Sequence, residues 1–593
     1  MPKTPDQILD ADLKRQVQAF ERDLDKALTR RPIFTWDATA TLRLVCDWYE
    51  HVAARSDDPS GPGHIDRALA ILGPYLVSGS TGVMPDLTDN YFRVQMMDDL
   101  EFAGHYYMVR ELLYYTYNAK ESVSWAFLAD RVEARFADKS LPRQFFTVFN
   151  DQLLGSMSLF QSFKDDGARI HALLADEPEG ADTPKTREAW GLIEREVDLK
   201  LSAYFNLVPA DSDINLGGYT YAEFLSVYRV LTAKALYHRY LAQDRGFIGA
   251  IHLPQDDFLT ALEDDLELAP DRARAILKDI VYDDRAATDR LDGSYFSLFR
   301  EAGGEGPILM RPHHFATDEG LVNLLRVVAQ RRPLTFLRSV SNVIGSAFVQ
   351  RVKAAWEAEG FTCHTEVSLR DIDPTLPDVD LMVISEEPTL GYVIFICELK
   401  SPIPPKWAKD QLKALNADGV AKAFRQADAL KAFLRTEAGM GFIARHLPKG
   451  GHPHFDGFIV LLHHLVITSD NGGMFFGGET TGIIAFKTLE RLLKRSDGDM
   501  ALIQHVLATY AEKVDEAVVI VTPEFPMDGR TVSYEGVGPG PLIDFPQGEW
   551  RSWADRQGMV DEFMSDGHHP FDSLDHRPPD AVVVDHSRKV ALR

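Results

Sequence analysis

Two short apolar runs separated by a polar turn constrain the fold of this chain more than any other feature. Residues 377–384 read Pro-Asp-Val-Asp-Leu-Met-Val-Ile, and residues 392–400 read Tyr-Val-Ile-Phe-Ile-Cys-Glu-Leu-Lys. β-Branched and aromatic residues favour strands, and the Glu, Pro and Gly residues of the intervening segment 385–391 favour a turn. The pattern therefore predicts an antiparallel β-hairpin.

The predicted hairpin brings acidic and basic side chains together. In an antiparallel pair the numbers of facing residues have a constant sum, and a turn centred near Thr389 sets that sum. Asp380 then faces Glu398, and Asp378 faces Lys400. Side chains alternate between the two faces of a strand, so these four even-numbered residues share one face. We therefore expect three carboxylates and one ammonium in a small patch.

Facing carboxylates of this kind predict a metal site. They repel each other unless a cation lies between them, and Mg²⁺ binds one or two carboxylates while keeping positions for water and phosphate oxygens. We expect Asp380 and Glu398 to bind Mg²⁺, for which Mn²⁺ would substitute, with the Leu399 carbonyl as a candidate third ligand. Lys400 would orient the attacking water or neutralise charge on the phosphate. Asp378 is either an additional ligand or a solvated residue at the start of the strand.

The order Asp, short hairpin and Glu-x-Lys resembles the core motif of the PD-(D/E)XK nuclease superfamily, which has the restriction-endonuclease-like fold. Residues 345–361 are similar to the first core helix of this family and its exit, and residues 420–434 are similar to its next helix. The resemblance covers residues 335 to 470, about a quarter of the chain. Relatives commonly carry an acid just after the aromatic residue of the first helix, where this chain has Val349. The resemblance therefore supplies no third acidic ligand from this helix.

The resemblance implies a metal-dependent nuclease with Asp380, Glu398 and Lys400 as catalytic residues. A water held by the metal or oriented by Lys400 would attack the phosphodiester in line, and the metal would stabilise the additional negative charge. DNA is the favoured substrate because the family mostly cuts DNA, and members often act as dimers. The residues expected to contact the substrate are Lys406, Lys422, Arg425 and Gln426.

Other interpretations of the same residues remain open. Glu-x-Lys alone is common and usually marks a solvated strand edge or a surface ion pair. Here the run is apolar on both faces, which predicts a buried strand in which a charge needs a partner. This context favours a metal site over a structural ion-pair cluster. The alternatives are a catalytically inactive nuclease-fold scaffold that binds nucleic acid or protein partners, and a ribonuclease.

Charge distribution bears on the substrate. The net charge of −26 opposes binding to nucleic acid, because phosphate groups are negative. However, residues 321–470 contain 17 Lys and Arg against 16 Asp and Glu, and residues 321–353 contain six basic residues and no acid. We therefore expect a basic groove around the proposed metal site, although charge runs on helices are more often solvated faces.

Composition predicts a cytoplasmic protein with several domains. A chain of 593 residues exceeds a single hydrophobic core. Cys46, Cys363 and Cys397 lie far apart in sequence, without the spacing of a disulfide framework or a zinc site, which indicates a reducing compartment. The first residues lack the apolar core of a signal peptide, and no apolar run approaches the length of a membrane span. We therefore expect no membrane partner.

We expect an α+β multidomain architecture in which a large helical region precedes an α/β/α domain with a central mixed sheet. Helical periodicity in the first half includes residues 121–137, strands are expected at 455–467 and 517–521, and the latter would edge the sheet. The helical region resembles the appendages of bacterial anti-phage defence proteins in architecture alone, and suits regulation or partner binding. The expected divisions are 1–176 (N-terminal helical domain), 187–290 (second helical domain), 291–334 (connecting hairpin and helix), 335–525 (nuclease-like domain) and 526–593 (loop-rich tail).

Overall fold

A computed structural model describes most of the chain. The described residues are 11–55, 60–86, 88–119, 122–178, 181–245, 249–302, 306–317, 320–387, 391–406, 408–415, 419–448, 458–469, 481–543 and 581–584. None of the helices in these ranges combines the length and the apolar character needed to cross a membrane.

Helices dominate the first half of the chain and recur on both sides of the C-terminal sheet. In chain order, the helices of the described residues are α1 (Ala11–Thr29), α2 (Ala38–Arg55), α3 (Ser60–Leu76), α4 (Asn90–Asn118), α5 (Ser140–Leu174), α6 (Pro184–Tyr204), α7 (Tyr221–Arg245), α8 (Gln255–Leu266), α9 (Pro270–Ile280), α10 (Asp284–Thr288), α11 (Pro312–Thr317), α12 (Gly320–Arg331), α13 (Pro333–Thr335), α14 (Ser341–Ala358), α15 (Ala408–Leu415), α16 (Val420–Leu434), α17 (Glu437–His446), α18 (Phe486–Ser496) and α19 (Met500–Ala517). A π-helical turn, Phe336–Val340, joins α13 to α14.

The strands of the described residues form four sheets. In chain order they are β1 (Val123–Phe127), β2 (Arg131–Phe136), β3 (Ile251–Leu253), β4 (Val281–Tyr282), β5 (Leu298–Arg300), β6 (Ile308–Met310), β7 (Thr362–Val367), β8 (Val379–Glu387), β9 (Gly391–Lys400), β10 (Phe458–Thr468), β11 (Thr481–Ala485), β12 (Val519–Val521), β13 (Glu524–Met527), β14 (Arg530–Tyr534), β15 (Gly536–Gly538) and β16 (Ala581–Val584). The sheet orders are β1-β2-β14-β13, β3-β6-β5-β4, β12-β15 and β11-β10-β9-β8-β7, with β16 paired to β10.

The chain divides into two compact units, each built from more than one segment. The first unit contains Met1–Arg135, Gly155–Ile344 and Thr522–Tyr534, and it is mainly helical with two four-stranded sheets. The second unit contains Phe136–Leu154, Gly345–Val521 and Glu535–Arg593. The expected α+β class, with an N-terminal helical region and a C-terminal mixed sheet, is confirmed.

The large sheet of the second unit is mixed. β7, β8 and β9 pair antiparallel, whereas β9, β10 and β11 run parallel. β10 lies in the interior of the sheet, as expected for the apolar run that ends near Ile467. Leu381 and Val383 of β8 and the odd-numbered residues of β9 pack against α14, α18 and α19, and the even-numbered apolar residues of β9 pack against α16 and α17. This unit therefore has a three-layer arrangement with helices on both faces of the sheet.

Two expectations about secondary structure were wrong. The segment expected to be a helix at 121–137 contains β1 and β2 instead, and β2 pairs with β14, four hundred positions later in sequence. Alternation of apolar and polar residues in both runs is a strand period that the helical interpretation overlooked. The strand near 517–521 pairs with β15 in a separate two-stranded sheet, so it does not edge the large sheet.

The last part of the chain is only partly described. Within the segment expected to be a loop-rich tail, β14, β15 and β16 are strands. β16 pairs antiparallel with the first half of β10, at Leu461 and the residues before it. Residues 544–580 and 585–593 lie outside the described residues.

Candidate active site

The predicted hairpin and its register are confirmed. β8 and β9 pair antiparallel, and Leu381 faces Cys397. One position further along the same register, Asp380 faces Glu398. The two carboxylates therefore lie at the end of the hairpin away from the turn, on the face of the sheet that α16 covers.

Three groups hold the two carboxylates and the neighbouring ammonium in place. The backbone N–H of Leu399 donates a 2.7 Å hydrogen bond to Asp380 Oδ2. Lys400 Nζ lies 3.4 Å from Glu398 Oε2 and 3.3 Å from Gln426 Oε1. Glu398 is only 1% exposed, and its second oxygen, Oε1, has no hydrogen-bond partner among the described residues. One oxygen of this buried carboxylate is therefore available to a ligand.

Burial disfavours the charged forms of both acids. It raises the pKa of Glu398 to about 7, and the charge on Asp380 adds to this shift while Lys400 opposes it. Burial also raises the pKa of Asp380, against the opposing hydrogen bond from the Leu399 N–H and the charge of Lys400. The charge on Asp380 therefore makes ionisation of Glu398 less favourable, and a cation bound between the two acids would offset that cost.

Asp378 does not join this site. β8 begins at Val379, so the ladder ends before the expected pairing of Asp378 with Lys400. The Asp378 carboxylate instead accepts hydrogen bonds from the Ser368 hydroxyl at 3.0 Å and the Leu369 N–H at 3.4 Å. This geometry favours a residue at the start of the strand over an additional metal ligand, and Asp378 is half-buried instead of fully solvated.

The expected substrate residues lie on α16 and in the loop after β9, and two of them, Lys422 and Gln426, interact with residues of the site. Lys422 is exposed, and its charge acts on both Asp380 and Glu398. Arg425 is exposed, whereas Gln426 is half-buried and contacts Lys400. Lys406 lies half-buried in the loop between β9 and α15.

The described residues supply two carboxylates to a metal but no larger acidic group. Among them, no three His, Cys, Asp or Glu side chains come together as a metal-binding group. Val349, where the nuclease family that the sequence resembles commonly has an acid, packs on the core of the opposite face of the sheet. Glu366 lies opposite Asp380 in the β7–β8 register but is exposed, with a left-handed φ of 51°. An all-oxygen pair with one unpartnered buried oxygen nevertheless fits Mg²⁺, which needs only one or two protein carboxylates.

Sequence analysis missed a second polar group on this face of the sheet. His464 of β10 is buried, lies level with Ile396 of β9 and faces Thr481 of β11. Burial, followed by the charge of Lys431, lowers the pKa of His464 to about 3, and Lys431 Nζ donates a 2.6 Å hydrogen bond to Thr481 Oγ1. His464 and Glu398 lie on the same face of the sheet, with His464 paired to Ile396 and Glu398 paired to Val466. This parallel register cannot be derived from a turn.

Comparisons of this chain with protein-family models, with curated proteins and with solved structures find no match.

Proposed function

We propose that this protein is a metal-dependent nuclease with a restriction-endonuclease-like second unit, and that DNA is its favoured substrate. The observation that carries the proposal is the pairing of buried Glu398 with half-buried Asp380 on the facing strand, with the Lys400 ammonium 3.4 Å from Glu398. A buried acid with an unpartnered oxygen is costly in a purely structural role. A cation bound by the pair would offset the free-energy cost of burying this carboxylate.

Each residue would have a separate task. Asp380, oriented by the Leu399 N–H, and Glu398 would hold Mg²⁺ or Mn²⁺, with the Leu399 carbonyl as a further ligand. When bound, the cation would supply Lewis-acid stabilisation of the negative charge that builds on the phosphate. Lys400, held between Glu398 and Gln426, would orient the attacking water and stabilise the same charge.

Positive side chains near the site would position the nucleic acid. Lys422 and Arg425 are exposed on α16, and Lys406 lies in the loop that follows β9. Contacts from Lys and Arg to phosphates give affinity that falls with salt and carry no sequence information. This local charge is what allows a chain of net charge −26 to bind a polyanion.

Cleavage assays with Mg²⁺ or Mn²⁺ test the proposal. Supercoiled, linear duplex and single-stranded DNA, together with RNA, are incubated with the parent protein and with the Glu398→Gln and Lys400→Ala variants. We expect metal-dependent cleavage of at least one DNA by the parent, and a loss of about 10²-fold or more in each variant. Preferential cleavage of RNA would identify a ribonuclease instead.

Glu386→Gln is the matched control. Glu386 is an exposed acid of the same strand as Asp380, near the turn of the hairpin, and its substitution should leave cleavage unchanged. If the parent cuts no substrate above the level of folded Glu398→Gln and Lys400→Ala proteins, the nuclease proposal is wrong. The inactive scaffold would then be the better interpretation.

A further inference from the structure

An exposed apolar patch lies on the first unit, where a loop meets the start of α4. Five large apolar side chains of this region are at least 46% exposed, and Met84 is the most exposed at 66%. We call this surface the acidic-rimmed patch. Its apolar members are Val83, Met84, Tyr91, Val94 and Met97.

Hydrogen bonds and ring contacts make the acidic-rimmed patch continuous. Val83 forms a bridge with Trp36, and the ring of Trp36 packs edge-on against Phe92 at 5.3 Å. Phe92 in turn contacts Tyr91 at 5.5 Å. Tyr91, Val94 and Met97 follow at intervals of three along α4, so they extend the surface along one side of the helix. The loop and the helix therefore pack on the same buried Trp36, which holds their exposed apolar side chains in the same region of the surface.

Acidic side chains surround this patch. Its exposed charged neighbours are Asp86, Asp89, Asp98 and Glu101, against one base, Arg93. Contiguous exposed apolar side chains with a polar rim are typical of protein interaction sites, and methionines suit such sites because they adapt to a partner. A partner for this patch should be apolar and positively charged.

A second surface of the first unit has these properties. Leu334 is 64% exposed and Leu337 is 61% exposed, in α13 and the π-helical turn that follows it. Arg338 is exposed beside them, and the spacing of three and four places these residues on one side of the helix. We call Leu334, Leu337 and Arg338 the basic ridge.

The charge of the basic ridge is not neutralised by its surroundings. The chain has no acid between Gly320 and Trp356. Arg331 and Arg332, which precede the ridge, are engaged by Asp279, whereas Arg338 forms no ion pair with any residue that the structure describes. The ridge therefore combines two exposed leucines with one uncompensated positive charge.

We propose that the basic ridge of one copy of this chain docks on the acidic-rimmed patch of a second copy. The argument is the match in chemistry, because each surface is apolar and the two carry opposite charge. Since the two surfaces are different, the contact is head-to-tail, and it extends to a ring or an open chain of subunits. The small number of apolar side chains predicts a weak association that is sensitive to salt.

Complementation between two variants tests this geometry. Met97→Asp disables the patch, and Leu337→Asp disables the ridge, in the full-length protein. Sedimentation velocity is measured at low salt over a range of protein concentrations. We expect the parent to form larger species as concentration rises and each variant alone to lose this growth. A 1:1 mixture of the two variants retains one intact patch and one intact ridge, so it should form a species one step larger than either variant alone.

Two further variants sharpen the test. Leu128→Asp is the matched control, because Leu128 is 55% exposed elsewhere on the first unit, and it should assemble like the parent. Arg338→Glu should weaken the association about tenfold, because it places an acid against an acidic rim. Thermal unfolding of each variant checks that it is folded.

Three results would overturn the proposal. The first is a parent protein whose sedimentation does not change with concentration. The acidic-rimmed patch would then bind a partner other than a second copy of this chain. The second is a folded Met97→Asp or Leu337→Asp protein that assembles like the parent. The third is a mixture of the two variants that gives no larger species, which excludes head-to-tail docking.

Discussion

Glu398 is buried among the apolar residues of β9, although its Oε1 atom has no hydrogen-bond partner among the described residues. A carboxylate in this position is costly when ionised unless opposite charge lies nearby. Lys400 supplies part of that charge at 3.4 Å, but Asp380 opposes it from the facing strand. A divalent cation would compensate both acids together. This balance at one residue is the physical basis of the proposed metal site.

The stability of the metal-free protein should depend on pH through Glu398. Burial raises its folded pKa from 4.5 to about 7, so folding favours the protonated form. The stabilisation is complete below pH about 4.5 and is lost as the pH rises through 7, with a total on the order of 3 kcal/mol. Denaturant unfolding with a chelator present, at intervals from pH 5 to 8, measures it.

The Glu398→Gln variant is the control for this dependence, because an amide cannot titrate. Its stability should fall less steeply with pH than that of the parent, whereas Glu386→Gln should behave like the parent. Equal slopes for the parent and Glu398→Gln would show that Glu398 is already ionised in the metal-free fold.

Asp380 and Asp378 should respond differently to the same substitution. Asp380→Asn removes a proposed ligand, so binding of Mn²⁺, measured by calorimetry, should be lost. Asp378→Asn should keep the affinity for Mn²⁺ within about twofold and instead lower stability by about 0.5 to 1.5 kcal/mol, through weaker contacts with Ser368 and Leu369. Loss of Mn²⁺ binding in Asp378→Asn would instead identify Asp378 as an additional metal ligand.

Among the structural elements, those with local partners were predictable. The register of β8 with β9 follows from a short turn, so the pairing of Asp380 with Glu398 is encoded within about twenty residues of sequence. The register of β9 with β10 depends on the crossover through α16 and α17. The position of His464 on the face of the site was therefore not predicted. The alternation in β1 and β2 was overlooked, whereas the pairing of β2 with β14 has no local signal because the two strands are distant in sequence.

The strand pair β13 and β14 should be essential to the first unit. Phe525 of β13 is buried, stacks on His105 with ring centroids 5.0 Å apart and meets Phe102 edge-on at 5.5 Å. Phe525→Ala should lower stability by about 3 to 5 kcal/mol, because the helices cannot fill the cavity.

Glu524→Ala is the matched control for Phe525→Ala. Glu524 is the exposed neighbour on the same strand, and its ion pair with Arg131 lies at the surface. Its loss should cost less than about 1 kcal/mol in the same denaturant titration. A similar cost for both variants would mean that β13 contributes little to the core of the first unit.

At the scale of the whole molecule, each unit is assembled from distant segments of the chain. The second unit includes residues 136–154, which sequence analysis assigned to the N-terminal helical domain. Phe146 lies in the core beneath the large sheet. Arg143 forms an ion pair with Asp515. The Asn150 side chain donates a hydrogen bond to the Ile543 carbonyl and accepts one from the Ile543 N–H. Such contacts have no signal in local periodicity, so domain limits are the part of the architecture that sequence predicts least.

A fragment spanning residues 335–525 should therefore fail to fold cooperatively, since it lacks Phe146 and the ion pair of Asp515. Circular dichroism during thermal unfolding should show a broad transition, whereas the full-length protein unfolds in sharp steps. In the full-length chain, Phe146→Ala should lower the stability of the second unit by about 3 to 5 kcal/mol. A fragment with a sharp transition and intact Mn²⁺ binding would contradict this prediction.

The most direct measurement of the central claim is anomalous diffraction from crystals soaked in Mn²⁺. We expect one strong peak about 2.0 to 2.3 Å from a carboxylate oxygen of both Asp380 and Glu398, and its absence in crystals of Glu398→Gln. A parent crystal at saturating Mn²⁺ without a peak between these two residues would contradict the metal site, and with it the proposed nuclease.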